Sequence, residues 1–177
     1  MKKMYIISGP AEAGKSTISK RLAEQFDGSA YIEGDLISDM VISGYHPPWE
    51  SEESLALTWE NIADVSINFI QANKTTVIDY VAFPEEVETL SEKVYGAVKD
   101  ADIFYVVLWV EKDELLRRDA LRMKEYQMGA RCLALADEFK RKGIDERFLY
   151  DITNIDIPDI LSNIKENPRF KFGKTNF

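Results

Sequence analysis

The octet Gly9-Pro10-Ala11-Glu12-Ala13-Gly14-Lys15-Ser16 fits G-x-x-x-x-G-K-[ST] at every fixed position. It constrains the fold more than any other stretch, because the motif works only between a strand and a helix. Both flanks suit it. An apolar run, residues 4–8, comes before it. After Ser16 the apolar residues Ile18, Leu22 and Phe26 recur at every fourth position, the spacing of an amphipathic helix. Gly9 and Gly14 permit backbone angles that side chains forbid. The loop can then turn successive N–H groups inward onto phosphate oxygens, with the positive end of the helix dipole behind them. Lys15 has the reach to meet β- and γ-phosphates, and the Ser16 hydroxyl can ligate Mg²⁺. Gly9, Ala11, Glu12, Ala13, Gly14, Lys15, Ser16 and Thr17 are therefore the candidate nucleotide-binding residues. The bland reading, a glycine-rich turn that binds nothing, does not account for the intact motif in its required context.

The rest of the chain alternates short β-rich runs with helical segments. Residues 4–8, 30–33, 75–79, 103–110 and 148–152 read as strands, and most are near-continuous apolar runs, as in strands buried on both faces of a parallel sheet. Ser51 followed by Glu52 and Glu53 reads as a helix start, with acids at the positive end of the dipole. That helix is expected to carry Leu55, Trp59, Ile62, Phe69 and Ile70 on one face. Pro84 opens another, a fourth begins near Lys112, and Pro158 sits in the first turn of the last. Such alternation predicts an α/β fold with a parallel sheet. With 177 residues and no repeat, one domain over 1–177 is expected.

Composition narrows the function. The net charge is −9, which disfavours a basic nucleic-acid-binding surface. Cys132 and His46 are the only residues of their types, too few for an internal disulfide, a Cys/His zinc site or a motif-supported catalytic triad. The N-terminal run is broken by Gly9, Pro10, Glu12 and Lys15, unlike a signal peptide, and no stretch is apolar enough to span a bilayer. The expectation is a cytoplasmic protein without a membrane or nucleic-acid partner.

No Asn-Lys-x-Asp segment follows a strand, which argues against guanine recognition of the GTPase kind; Asn73-Lys74-Thr75-Thr76 lacks the acid. A motor or transporter ATPase usually needs a larger domain. In size and strand spacing the whole chain instead resembles the small P-loop kinases, such as gluconate kinases, shikimate kinases and chloramphenicol phosphotransferase. The resemblance implies a P-loop NTPase three-layer sandwich, with a five-stranded parallel sheet between helices and a helical lid near 123–142. It implies ATP and Mg²⁺ as cofactors and a small-molecule hydroxyl as acceptor. Position by position, it makes Asp35, after Glu33-Gly34, the catalytic base or the residue that orients the hydroxyl, with a helix N-cap as the alternative. Asp79, ending an apolar strand, is expected to help hold Mg²⁺ with Ser16 or to serve the acceptor site. Arg118 and Arg122, four apart, are expected on one helix face against the nucleotide, and Arg131 is the lid cation that stabilises transferring charge. Asn154, after the last strand, is expected near the adenine.

The acceptor is less legible. From residue 22 through 73 there are ten acidic residues and no Lys or Arg. An acceptor bearing phosphate or carboxylate needs a cation. Nucleoside monophosphates are thus disfavoured, and gluconate or shikimate would depend on a lid residue such as Arg131. A neutral or cationic hydroxyl compound fits better, with Trp49 and Trp59 as stacking or packing surface. His46-Pro47-Pro48-Trp49 loosely resembles a gluconate-kinase segment, at different spacing. A nucleotide sensor that transfers no phosphate, and a nucleoside monophosphate kinase, remain the alternatives.

Overall fold

The computed structural model describes residues 2–121, 123–124 and 127–173. Five strands form one sheet: β1 (Lys3–Ser8), β2 (Ser29–Glu33), β3 (Thr75–Asp79), β4 (Asp102–Trp109) and β5 (Leu149–Asp151). Their spatial order is β2-β3-β1-β4-β5 and every pairing is parallel. All five predicted strands are present, with ends shifted by one residue at most.

Helices cover both faces: α1 (Lys15–Ala23), α2 (Gly34–Ser38), α3 (Glu52–Gln71), α4 (Pro84–Ala97), α5 (Lys112–Ala120), α6 (Ala130–Arg141) and α7 (Ile157–Glu166). Strand pleating divides the core. Met4 and Ile6 of β1 pack on one face with Trp59, Ile62 and Ile70 of α3 and with Val87, Leu90 and Val94 of α4. Tyr5 and Ile7 pack on the other with Ile18 and Leu22 of α1 and with Ile160 and Ile164 of α7. A sheet between two helical layers is the result.

The α3 start is as expected: Ser51 caps the helix, its hydroxyl accepting from the Ser54 N–H at 3.2 Å. The predicted apolar face needs one correction. Phe69 is 40% exposed because it sits at the rim of the buried face, about 100° around the helix from Ile70. Phe170 is fully buried in one core cluster beside Tyr150, and Phe172 packs against the other beside Tyr105 and Phe148, so this last described stretch docks against the sheet; Phe177 lies outside the described residues. No helix among the described residues is long and apolar enough to cross a membrane.

The strand order places the functional edge. The chain leaves β1 between β3 and β4, where successive connections diverge to opposite sides, and parallel sheets bind ligands at such a point beyond the carboxyl ends of their strands. In register, Asp79 lies beside Ile7 on one strand and Glu33 on the other. The loop after Ser8, the Glu33–Asp35 segment and Asp79 are thereby gathered on one edge.

Candidate active site

The loop after β1 has the backbone its sequence implies. Gly9 adopts φ 138°, and a Cβ there would come within 2.3 Å of the Leu108 carbonyl oxygen on β4. Glu12 (φ 64°) and Gly14 (φ 94°) also take positive φ, which curls the segment back on itself. Gly14 is the N-cap of α1, and no side chain caps that helix and no acid occupies its first turn. The positive helix end is left for an outside anion. Ser16 and Thr17 are exposed in that first turn. Lys15 Nζ donates to the Pro10 carbonyl at 3.1 Å. Burial lowers the Lys15 pKa, while Asp79, Asp35 and Glu12 act to raise it. The Cys132 thiol donates to the Ala11 carbonyl at 3.4 Å, seating α6 against the same loop.

Two carboxylates face Lys15. Asp35 is the second residue of α2, whose N-cap is Glu33, so Asp35 is not a helix cap and the alternative role considered from sequence falls away. Burial raises its pKa; Lys15 works against that rise, and Asp79, Asp39 and Glu33 add to it. Asp79 is 4% exposed. It accepts a hydrogen bond from the Tyr31 hydroxyl at 2.8 Å, and the same hydroxyl lies 3.1 Å from Glu33. Burial, followed by the charge of Asp79, pushes the Tyr31 pKa up. Tyr31 thus fixes the Asp79 carboxylate from β2. Beyond Asp79 the chain is locked to β1: Ser8 Oγ donates to the Ala82 carbonyl at 2.9 Å and accepts from the Ala82 N–H at 2.8 Å.

A cleft of about 900 Å³ runs from the loop past Asp35 and Asp79 to α6. Its far half mixes apolar Trp49, Leu55, Val81 and Phe83 with acidic Glu50, Glu52, Glu86 and Glu138. Arg131 of α6 reaches across and stacks on Trp49, its guanidinium 3.6 Å from the ring centroid. Lys142, also on the wall, is paired with Glu85 at 3.0 Å. Glu86 accepts from the Phe83 N–H at 2.8 Å, closing the first turn of α4, and burial raises its pKa.

Arg118 lies over the outside of the loop. Its Nη1 donates to the Glu12 carbonyl at 3.3 Å and the Ala13 carbonyl at 3.4 Å, and its Nε pairs with Glu114 at 2.7 Å. The helix that carries it ends at Ala120, and Arg122 lies outside the described residues. Asn154 is not among the cleft's lining residues; its neighbour Thr153 accepts from the Glu111 N–H at 3.2 Å, tying that loop to the start of α5 instead. His46 is exposed and does not line the cleft, while Trp59 is core, 7% exposed.

Sequence reasoning missed four residues here. Tyr31 and Glu86 reach the site only through strand register and the α4 turn. Tyr80, directly after Asp79, was signalled only by its place at a strand end. Asp119, 5% exposed, accepts from the Met128 and Gly129 N–H groups at 2.8 Å each and holds the entry to α6; no local pattern announces that long-range capping.

Among the described residues no group of three or more His, Cys, Asp or Glu could hold a metal alone. The cleft offers a hard cation Ser16 and Asp79, and Mg²⁺ characteristically completes such a partial set with waters and phosphate oxygens. The donor chemistry therefore fits Mg²⁺ bound together with a nucleotide.

A search of curated proteins by sequence found no match. Solved structures share the architecture at low identity. A sugar kinase from a Janibacter species superposes with TM-score 0.65 at 14% identity, over 96% of this chain and 94% of that one. A gluconokinase from Sinorhizobium meliloti gives 0.62 at 16%, over 92% and 89%. The tunicamycin resistance protein of Deinococcus radiodurans gives 0.63 at 15%, over 93% and 94%. At such identities the likeness speaks for the fold, that of the P-loop kinases. The AAA_18 family model, described as an AAA domain, matches residues 6–132, from within β1 to the first turn of α6. That match spans the phosphate loop, both carboxylates and most of the sheet, and the chain belongs to the AAA domain family, built as a small P-loop kinase fold.

Proposed function

We propose that this protein is an ATP- and Mg²⁺-dependent kinase that transfers the γ-phosphoryl group to a hydroxyl of a small neutral or cationic acceptor. The observation that carries the reading is the convergence of Asp35 and Asp79 on Lys15 at the mouth of an uncapped helix, inside a cleft large enough for two substrates. ATP bound with Mg²⁺ supplies the phosphoryl group and a cation that offsets its charge.

In this reading the loop N–H groups and Lys15 hold phosphate oxygens, while Ser16 and Asp79 ligate the cation. Tyr31 keeps the Asp79 carboxylate turned to the cleft. Asp35 accepts a hydrogen bond from the acceptor hydroxyl and takes its proton as that oxygen attacks. A raised pKa suits that role, because a base works best with a pKa near the working pH. Arg131, on the lid, is the cation available to the transferring group once it leaves Trp49. The gluconokinase likeness does not carry its acceptor here: the acids of the far wall outnumber its cations, against a sugar acid.

A phosphoryl-transfer screen tests the reading. ADP release from Mg-ATP is followed with sugar acids, neutral sugars, nucleosides, nucleoside monophosphates and aminated antibiotics. Release above the acceptor-free rate with a neutral or cationic compound is expected. ATP binding with silence across the panel would transfer the weight to a nucleotide sensor.

A further inference from the structure

Tyr80 is 7% exposed, lines the cleft, and has no hydrogen-bond partner for its hydroxyl among the described residues. That hydroxyl is not one of the buried polar atoms left without a partner, so it opens onto the cleft. The ring itself is firmly held. It lies against the Gly34 backbone so closely that a Cβ there would fall 2.3 Å from the ring, and its face meets the edge-on ring of Trp59 at a centroid distance of 5.3 Å. The ring is held in place while its polar end stays open to the cleft, where a ligand can reach it.

Its surroundings say what. Burial raises the Tyr80 pKa most, and the charges of Asp35 and Glu86 add to the rise, so carboxylates from α2 and α4 both act on the phenol. Glu86 spends one oxygen on the Phe83 N–H, and no cation pairs directly with it among the described ion pairs. Lys142, the nearest cation to act on it, is bound to Glu85, and Arg131 is stacked on Trp49. Glu50 and Glu52 extend the negative wall.

We propose that Tyr80, Glu86 and Asp35 form the acceptor subsite, and that it selects an amino alcohol: a small hydroxyl compound carrying a protonated amine. The ammonium group lies against Glu86 and donates a hydrogen bond to the Tyr80 oxygen. The hydroxyl to be phosphorylated lies at Asp35, two bonds or more along the same molecule. The electrostatics favour this class over neutral compounds, since a charge-assisted hydrogen bond is stronger than a neutral one. They oppose an anionic acceptor outright. The inference rests on the kinase reading and narrows it.

The test uses three six-carbon sugars of different charge, glucosamine, glucose and gluconate, together with kanamycin as a larger polyamine alcohol. ADP release with Mg-ATP and binding by calorimetry without nucleotide are both measured. The expected order is an aminated compound first, glucose second and gluconate last, with kcat/KM at least tenfold higher for the amine. Glu86→Gln keeps the bond to Phe83, because glutamine can accept it too; it should raise KM for the amine about tenfold and shift KM for glucose by much less. Tyr80→Phe keeps the ring in place and should raise the amine KM several-fold with little change in kcat. Glucose or gluconate used as well as the amines, or a Glu86→Gln effect equal for glucose and glucosamine, overturns the subsite while the kinase reading stands. No turnover and no calorimetric binding with any of the four overturns both.

Discussion

The guanidinium of Arg131 lies 3.6 Å from the centre of the Trp49 ring, so α6 and the segment before α3 touch across the cleft. Neither residue has this contact locally available; α6 and the 48–52 segment are far apart in sequence. Trp49 is 59% exposed, so the contact belongs at the weaker end of cation–π energies. A double-mutant cycle of Trp49→Ala and Arg131→Ala should give a coupling of about 0.5–1 kcal/mol in chemical denaturation. If Arg131 also serves the transferring phosphoryl group, Arg131→Ala lowers kcat far more than Trp49→Ala does. Equal effects on kcat would confine Arg131 to the stack.

Asp35→Asn separates chemistry from binding. Turnover should fall by roughly 10²–10⁴, the usual contribution of a positioned base, with ATP affinity retained. A loss of ATP affinity as large as the loss of turnover would assign Asp35 to the nucleotide instead.

The same residue sets a pH dependence. Its folded pKa is raised above the usual carboxylate value, by burial first. The folded state therefore holds the proton more tightly than the unfolded state, so this group's contribution to stability is complete below the ordinary carboxylate pKa and is lost as pH rises through the raised value. kcat/KM should fall on acidification at a higher pH than a solvent-exposed carboxylate would give. At neutral pH Asp35→Asn should melt at a higher temperature than the parent, the pattern of a site where function opposes stability. Thermal melts across pH check the sign; a variant less stable than the parent at neutral pH contradicts it.

Gly34→Ala tests how closely the site is packed. The added Cβ would meet the Tyr80 ring at 2.3 Å, so the ring or the backbone must move. Overpacking of this kind costs about 1–3 kcal/mol. Urea denaturation should show that loss, and acceptor KM should rise as Tyr80 shifts. A neutral effect on both would mean the ring has room that the structure does not give it.

Asp119→Ala leaves the Met128 and Gly129 N–H groups without their carboxylate. A hydrogen bond to a charged group contributes about 1.5–3 kcal/mol, water recovers part of it at half-buried Met128 and exposed Gly129, and the loss falls on the entry to α6. Hydrogen exchange in α6 should accelerate while the sheet stays protected. Uniform acceleration across the chain would show that Asp119 supports the whole fold.

The strands and the phosphate loop were readable because their signals are local. A strand buried on both faces must be apolar throughout, and a backbone cradle for phosphate needs glycine at fixed offsets. Asp79 stands out as an acid ending an apolar strand beside that loop, whereas Asp35 is marked by the resemblance to the small P-loop kinases. Phe69 was misplaced on the α3 face because a helix turns 100° per residue, and a 20-residue stripe drifts unless its packing partners are known.

What the sequence alone determined, then, is the parallel α/β sandwich and the phosphate loop, since short-range steric and hydrogen-bonding demands write them into adjacent residues. What only the tertiary structure decided is how distant side chains complete the site. Tyr31 meets Asp79 across 48 positions because β2 pairs with β3 in one register. Asp119 caps a turn nine and ten residues ahead, Arg131 finds Trp49, and Tyr80 is left with its hydroxyl unspent. Those relationships depend on strand order and helix docking, which are set by the burial of the whole core and by no single segment of it.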